Sequence, residues 1–505
     1  MSSTVRTLRT HNIVFLVVAA AAPLTVVSAG ATAAYATSGM SGVPLGYLLC
    51  GGLVAFFSVG FCAMAKEIPN TAAFFSYVSA GLGKSHGLAA SSLAIVSYTA
   101  MQIALYCLLG YTASSLADSL FGFHIHWSIW AFIALSLVAF LGVKSADATS
   151  KILGFLLFLE FCAVAFFCFL AIRNPADGLS IETLSPATLI GAGTGTLLAF
   201  TIAGFMGIES SAMYSEEAIN PSKTIPNATL ISILIISSFY GFSSWAIAQS
   251  TGEALVVEAA QESGSDLFFN FIAEQGYQTI VPFIQLLLVT SLFAAVTAFH
   301  NSISRYLMAL GREEVIWKKL GAVSQSGAPV SASLLQSAFG FIVIGAALAA
   351  QYLTGYDDTF PSAIVFSWMS NAGGFGLVFL LLATSISVFF YFKKHTGLYS
   401  AFVTKIAPTV AIIGFGIMFV LILANFENLI GDAELWYLVF IIPGIILLCG
   451  VAGFLRGEQL KRSHPDIYAN IGSGHPPVKP ALDTPRDLLS PQKQTTPVEL
   501  SLIHI

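Results

Sequence analysis

Gly204-Phe205-Met206-Gly207-Ile208-Glu209-Ser210 stands inside an apolar stretch, 191–215, that also carries Gly191, Gly193 and Gly195. A run of that length and hydropathy reads as a membrane helix. Two glycines and a carboxylate so close together make it a poor one, because glycine lowers the cost of unwinding. Unwound backbone at membrane depth is tolerated only where it is buried in protein or lines a wet cavity. A matching flaw lies near the N-terminus. The stretch 12–36 contains Ala22-Pro23-Leu24-Thr25 and then Ser28-Ala29-Gly30; proline removes a backbone donor and clashes with the preceding turn.

Outward from these two stretches, apolar runs of about 20 residues alternate with short polar links. Twelve spans are expected, at 12–36, 44–65, 87–116, 127–143, 152–172, 191–215, 229–250, 281–304, 331–353, 361–391, 405–424 and 435–455. Composition agrees: 56 % of the chain is hydrophobic and only 9 % charged, and mean hydropathy is +0.82, against about 25 % charged in soluble domains. The class is therefore an all-α polytopic membrane protein. Every Lys and Arg except Arg173 falls on alternate links. That is the positive-inside bias of a multi-pass protein, and it fixes both termini in the cytoplasm with an even number of spans; the expected location is the plasma (inner) membrane. The link 251–280, with five acids and no Lys or Arg, is expected outside, with room for a short amphipathic helix. The first apolar run is too long for the core of a cleavable signal peptide.

The two flawed spans are the first and the sixth, five apart, and they run in opposite directions. This points to a 5+5 inverted repeat with helices 1 and 6 discontinuous and a substrate site at the breaks. The expected organisation is a stub at 1–11, a transporter domain at 12–455 with repeats at about 12–172 and 191–391 and extra helices at 405–455, and a cytoplasmic, disordered, Pro-rich tail at 456–505. Kinks serving close helix packing are the competing reading. The outer half of span one begins near Thr25–Ser28 and aims unpaired N–H groups and a positive dipole end at the midplane, which suits a carboxylate. The outer half of span six ends near Ala203–Gly204 with carbonyls that suit an ammonium. A zwitterion fits between them without a charged side chain, and an α-amino acid is the simplest such ligand.

Ionisable groups at depth cost about 2.5–3.5 kcal/mol each and are functional candidates by default. Glu160, in span five, and Glu209, in the flawed part of span six, qualify. Either can carry a proton, since burial disfavours a bare carboxylate. Glu209 can instead cap freed backbone N–H groups, and Glu160 can be a permanent hydrogen-bonded strut. In span three, Ser97, Tyr98, Thr99 and Gln102 share a face; they line the cavity or bond a neighbouring helix. The six cysteines lie within apolar stretches, as small core residues do. There is no GxxxxGK[ST], HExxH or CxxC, so no metal, no cofactor, no nucleic-acid partner and no enzymatic activity are expected.

Three stretches resemble the amino acid–polyamine–organocation (APC) superfamily of secondary transporters, which have the leucine-transporter (LeuT) type fold. They are Gly204 to Ser210 followed by Glu216-Glu217-Ala218-Ile219-Asn220-Pro221 and Ile225-Pro226; Lys66-Glu67-Ile68-Pro69-Asn70 to Gly81-Leu82-Gly83; and Arg305-Tyr306-Leu307-Met308-Ala309-Leu310-Gly311-Arg312 with Pro329. The resemblance implies that a substrate carboxylate meets backbone near Ala22, Pro23, Leu24 and Thr25. It also implies that the amine and side chain meet Ala203, Gly204, Phe205, Met206 and Gly207, with a wall near Phe299. Three departures stand out. The first break lacks the family's Gly-Ser-Gly run. Ala203 stands where some arginine-type exchangers place a large aromatic. Glu160 stands near where many relatives carry a lysine in place of a sodium ion, so the coupling ion is expected to be H+ rather than Na+.

The expected function is secondary transport of an amino acid or related amine by alternating access, with proton symport. The alternatives are a polyamine or monoamine importer, or an amino acid exchanger, on the same fold. A channel would need a filter repeat and a sensor an output domain, and the sequence offers neither.

Overall fold

The computed structural model describes residues 8–68, 72–143, 150–214, 218–324, 328–429 and 438–474. Among these the chain is helical throughout, apart from turns and one isolated bridge between Leu8 and Ala218. It opens with α1 (Thr10–Ala20), α2 (Pro23–Thr25), a π-turn at Val26–Ala31 and α3 (Thr32–Ser38). There follow α4 (Val43–Glu67), α5 (Ala73–Leu82), α6 (Lys84–Phe121), α7 (Trp127–Gly142) and α8 (Ser150–Arg173). The second stretch holds α9 (Thr194–Ala203), α10 (Ser210–Met213), α11 (Pro221–Thr251), α12 (Val256–Ser263), α13 (Leu267–Ile272) and α14 (Val281–Arg312). It continues with α15 (Val330–Thr354), α16 (Phe366–Lys394), α17 (Ala407–Ala424), α18 (Leu438–Ser463) and α19 (Pro465–Asn470).

Among the described residues, ten helical segments are long and apolar enough to cross a membrane, Thr10–Ser38 counting as one of them. The expected fourth and sixth spans are shorter. The first of these, α7, has 16 residues and α9 only 10. The shortness of α9 has a local cause at each end. A Cβ on Gly193 would stand 1.9 Å from the Ser38 carbonyl oxygen, so the chain turns there against α3. Past Ala203 the backbone leaves the helical ladder. Other helices overrun their expected ends: α6 runs on to Phe121, α14 to Arg312 and α18 to Ser463. The composition change at Arg456 is therefore not where regular structure stops, since α18 continues to Ser463 and α19 follows. Pro69-Asn70, Lys144, Glu216-Glu217 and the tail beyond Gly474 lie outside the described residues. Link 251–280 holds α12, with Val256 and Ala260 buried, and α13.

The hub is α6, packed by α5, α7, α14, α16 and α18. Lipid is as apolar as leucine, so helices in a membrane associate through close packing at small residues and hydrogen bonds rather than hydrophobic drive. Both devices are present. A Cβ on Gly376 of α16 would lie 1.8 Å from Ser97 Oγ of α6, and one on Gly51 of α4 would lie 2.1 Å from Ser237 Oγ of α11. Trp127 donates its indole N–H to Gln351 at 2.6 Å, joining α7 to α15. Cysteines 50, 62, 107 and 168 are buried, Cys449 is half-buried and Cys162 is exposed; all are free thiols.

Candidate functional site

The first flaw is a sharp local event. Ala22 adopts φ 45° and ψ 71°, a left-handed conformation that an alanine reaches only at a cost of about 1–2 kcal/mol. It separates α1 from α2, where Pro23 supplies the fixed φ of a helix start and no donor. The Tyr240 hydroxyl of α11 donates to the Ala21 carbonyl at 2.8 Å. On the other side of the kink, the Leu24 N–H reaches Glu160 Oε2 at 3.5 Å. The same oxygen accepts the Ser291 hydroxyl of α14 at 2.7 Å, and Thr25 Oγ1 lies 3.4 Å from Ser291 Oγ. Glu160 is 4 % exposed. The exposed N–H end of the segment after the kink is thus met by a carboxylate of the chain itself.

The second flaw runs from Gly204 to Glu209. Its N–H groups bond three residues back rather than four: Phe205 to Ile202 at 2.9 Å, Met206 to Ala203 at 3.0 Å, Ile208 to Phe205 at 3.2 Å and Ser210 to Gly207 at 3.0 Å. The Ala203 carbonyl, expected bare, is therefore engaged by Met206, although an oxygen with two lone pairs can accept once more. Gly207 takes φ 103°, a conformation open to glycine. The Gly207 N–H donates to Glu209 Oε2 at 3.1 Å, so Glu209 binds freed backbone within the flaw. Its other oxygen, Oε1, accepts the Tyr98 hydroxyl of α6. Beside Glu209, Phe57, Phe205, Ile208 and Leu381 border a void of ≈ 10 Å³, room for about one water.

The two flaws meet. A Cβ on Gly207 would lie 3.7 Å from Ala20 Cβ, and one on Gly204 would lie 3.1 Å from the Tyr47 ring and 3.4 Å from the Tyr240 ring. Tyr47 and Tyr240 stack edge to face, 5.3 Å between centroids. Among the described residues the Tyr47 hydroxyl is fully buried without a hydrogen-bond partner, and Gly30 stands beside it. Ala22, Leu24, Phe205 and Met206 are all 4 % exposed or less, so this junction is closed to solvent.

Tyr98 stands at the junction, with Phe299 6.0 Å away and Tyr306 5.9 Å away between ring centroids. Gln102 does not. Its amide donates to the Val296 carbonyl at 3.2 Å and accepts from Gln336 at 2.7 Å, tying α6 to α14 and α15. That is the interhelical bond its place on the same face allowed. Three contributors were not read from the sequence: Ser291, Tyr240 and Tyr47. Hydroxyls in apolar helices are common, and only the crossing of α14 over α8, and of α11 over α4, selects these three. Among the described residues no cluster of His, Cys, Asp and Glu could hold a metal ion.

The family profile described as "Amino acid permease" matches residues 12–465. An aromatic amino acid permease of Lactococcus lactis subsp. cremoris is 26 % identical over 228 residues, 45 % of this chain and 47 % of the relative. A branched-chain amino acid permease of the same organism is 24 % identical over 326 residues, 60 % of this chain and 68 % of the relative. An amino-acid permease of Candida albicans is 23 % identical over 374 residues, 71 % of this chain and 57 % of the relative. The chain thus spans about half the length of the first of these. It belongs to the amino acid permease family, whose members are transporters and not enzymes.

Proposed function

We propose that this amino acid permease is a secondary transporter that carries an apolar amino acid across the plasma membrane by alternating access, coupled to a proton. In this reading the chain has twelve spans, with α7 and α9 completing the ten long segments. Helices 1 and 6 are discontinuous, the two five-helix repeats are inverted, and both termini are cytoplasmic. The observation that carries it is the meeting of the two flaws, Gly207 against Ala20, with Glu160 at the Leu24 N–H. The Leu24 N–H, held by Glu160 at 3.5 Å, and the Ala203 carbonyl, which keeps a second lone pair beside its bond from Met206, are the peptide groups of opposite polarity that a zwitterion would engage.

Glu160 makes proton coupling a matter of charge. A substrate carboxylate bound at the Leu24 N–H would face a second carboxylate a few ångströms away, and like charges at that range disfavour each other strongly in a dry site. Protonation of Glu160 removes the conflict and leaves a hydroxyl that can donate. Substrate and proton then bind together and leave together. The matched relatives are permeases for aromatic and for branched-chain amino acids. The small side chain of Ala203, with Phe299 and Met206 nearby in the expected lining, suits an apolar side chain in the same way.

Uptake into proteoliposomes, from a panel of radiolabelled amino acids and amines with and without an imposed pH gradient, tests this. Accumulation of leucine, valine or phenylalanine only with the gradient is the expected result. Preference for putrescine, or uptake indifferent to pH, would overturn the substrate or the coupling respectively.

A further inference from the structure

Residues 456–474, although polar and Pro-bearing in part, are docked. Ile471 is 4 % exposed and Leu460 1 %. Arg456 donates from Nε and Nη2 to the Val315 carbonyl at 3.3 and 3.2 Å, Ser85 donates to Glu458 at 2.7 Å, and Lys84 donates to the Ala469 carbonyl. The end of the segment is held by one buried carboxylate. Glu313, at the end of α14, is 0 % exposed and accepts the Gly472 N–H on Oε2 and the Gly474 N–H on Oε1, both at 2.8 Å.

This is a built site. Gly472 and Gly474 have φ 84° and 77°, left-handed values that point their N–H groups into one concavity, as anion-binding nests do. A Cβ on Gly472 would stand 2.9 Å from Ser79 Cβ and 3.8 Å from Ser76 Cα, so only glycine can press this closely on α5. A buried carboxylate is costly unless its oxygens are paired. The two N–H groups of 472–474 supply that pairing from a segment more than 150 residues away.

We propose that 464–474 is a latch: the Gly472-Ser473-Gly474 turn, captured by Glu313, clamps α5 to the end of α14 and so restrains α5, which stands between α4 and α6 in chain order. The restraint on transport rests on the alternating-access reading above; the docking itself does not. Hydrogen exchange on the full chain in lipid nanodiscs measures the docking. Amides of 471–474 are expected to be protected in the native protein. In Glu313→Ala their protection is expected to fall by about tenfold or more, since two hydrogen bonds to a charged acceptor are lost, with the membrane helices unchanged. Exchange at the free-peptide rate in the native protein, or unchanged protection in Glu313→Ala, overturns the latch. Initial uptake rates measure the restraint. Gly472→Pro, which removes one N–H and cannot adopt the required φ, and a chain ended after Ser463 are both expected to change the rate at least about twofold. Unaltered rates in both, with docking lost, overturn the restraint. A native protein that transports none of the panel refutes the functional reading instead and leaves the exchange result to judge the docking.

Discussion

Ser291 donates its hydroxyl to Glu160 Oε2 at 2.7 Å, and this one bond ties α14 to α8 directly beside the kink at Ala22. Because the same oxygen receives the Leu24 N–H, the carboxylate joins three separate helical segments at the point where the first of the two flaws opens. A change at Glu160 is therefore both a change of charge and a change of strut.

The two roles separate by substitution. Glu160→Gln keeps an acceptor for Ser291 and Leu24 but cannot exchange a proton. It is expected to abolish pH-driven accumulation while counterflow exchange of unlabelled for labelled substrate continues. Glu160→Ala leaves both donors unpaired and should also lower thermal stability, by about 1–3 kcal/mol per buried group. Loss of both activities in Glu160→Gln with unchanged melting would remove the proton role.

Tyr240→Phe tests the other side of the kink. The ring stays against Tyr47, but the hydroxyl that donates to Ala21 is gone. An unsatisfied buried carbonyl costs about 1–3 kcal/mol, so the detergent-solubilised variant should melt several degrees lower while keeping its substrate profile. A melting temperature equal to that of the native protein would show that Ala21 finds another partner.

Gly207→Ala separates backbone strain from crowding. A methyl group would make only an ordinary contact with Ala20, yet φ 103° is closed to alanine. The expected cost is about 1–3 kcal/mol of strain, taken up by moving the N–H that Glu209 binds. Transport should fall severalfold more than folded yield, measured as uptake per mole of monodisperse protein.

Ala203→Trp should narrow the substrate range. If Ala203 faces the bound side chain, uptake of phenylalanine and tryptophan is lost before that of alanine or valine. Competition against labelled valine reads this directly, and an unchanged order of competitors would place Ala203 away from the substrate.

Glu313 predicts a pH dependence of the docked segment. Burial pushes its carboxyl up to about 7, against the opposing pull of the Gly472 and Gly474 N–H groups and the nearby Lys84 ammonium. The bonds that docking makes, from the Gly472 and Gly474 N–H groups, lower this pKa and so favour the charged carboxylate; their contribution is present above the undocked pKa and lost as pH falls through about 7. Exchange protection of 471–474, corrected for the intrinsic rate, should therefore be greater at pH 8 than at pH 6. The reverse order would mean that the burial docking imposes on Glu313 outweighs the two bonds.

The linear pattern of residues already declares whatever depends on composition along the chain. Apolar runs separated by polar links declare membrane helices because the bilayer demands about 20 apolar residues per crossing, and Pro23, Gly204 and Gly207 mark where a helical ladder is hard to keep because those residues act through their own backbone. Glu160 and Glu209 stood out for a similar reason, as charges in apolar surroundings. What it could not determine is who meets whom. The polar face of α6 looked the same for Tyr98 and Gln102, yet one bonds Glu209 and the other Gln336. Ser291, Tyr240 and Tyr47 were ordinary hydroxyls until helix crossings brought them to the flaws. The tail read as unstructured because its composition cannot fold alone, and its first part is ordered through a carboxylate that closes α14. Contacts between residues more than a hundred positions apart are set by packing, which no local pattern encodes, and those contacts were for the tertiary structure alone to decide.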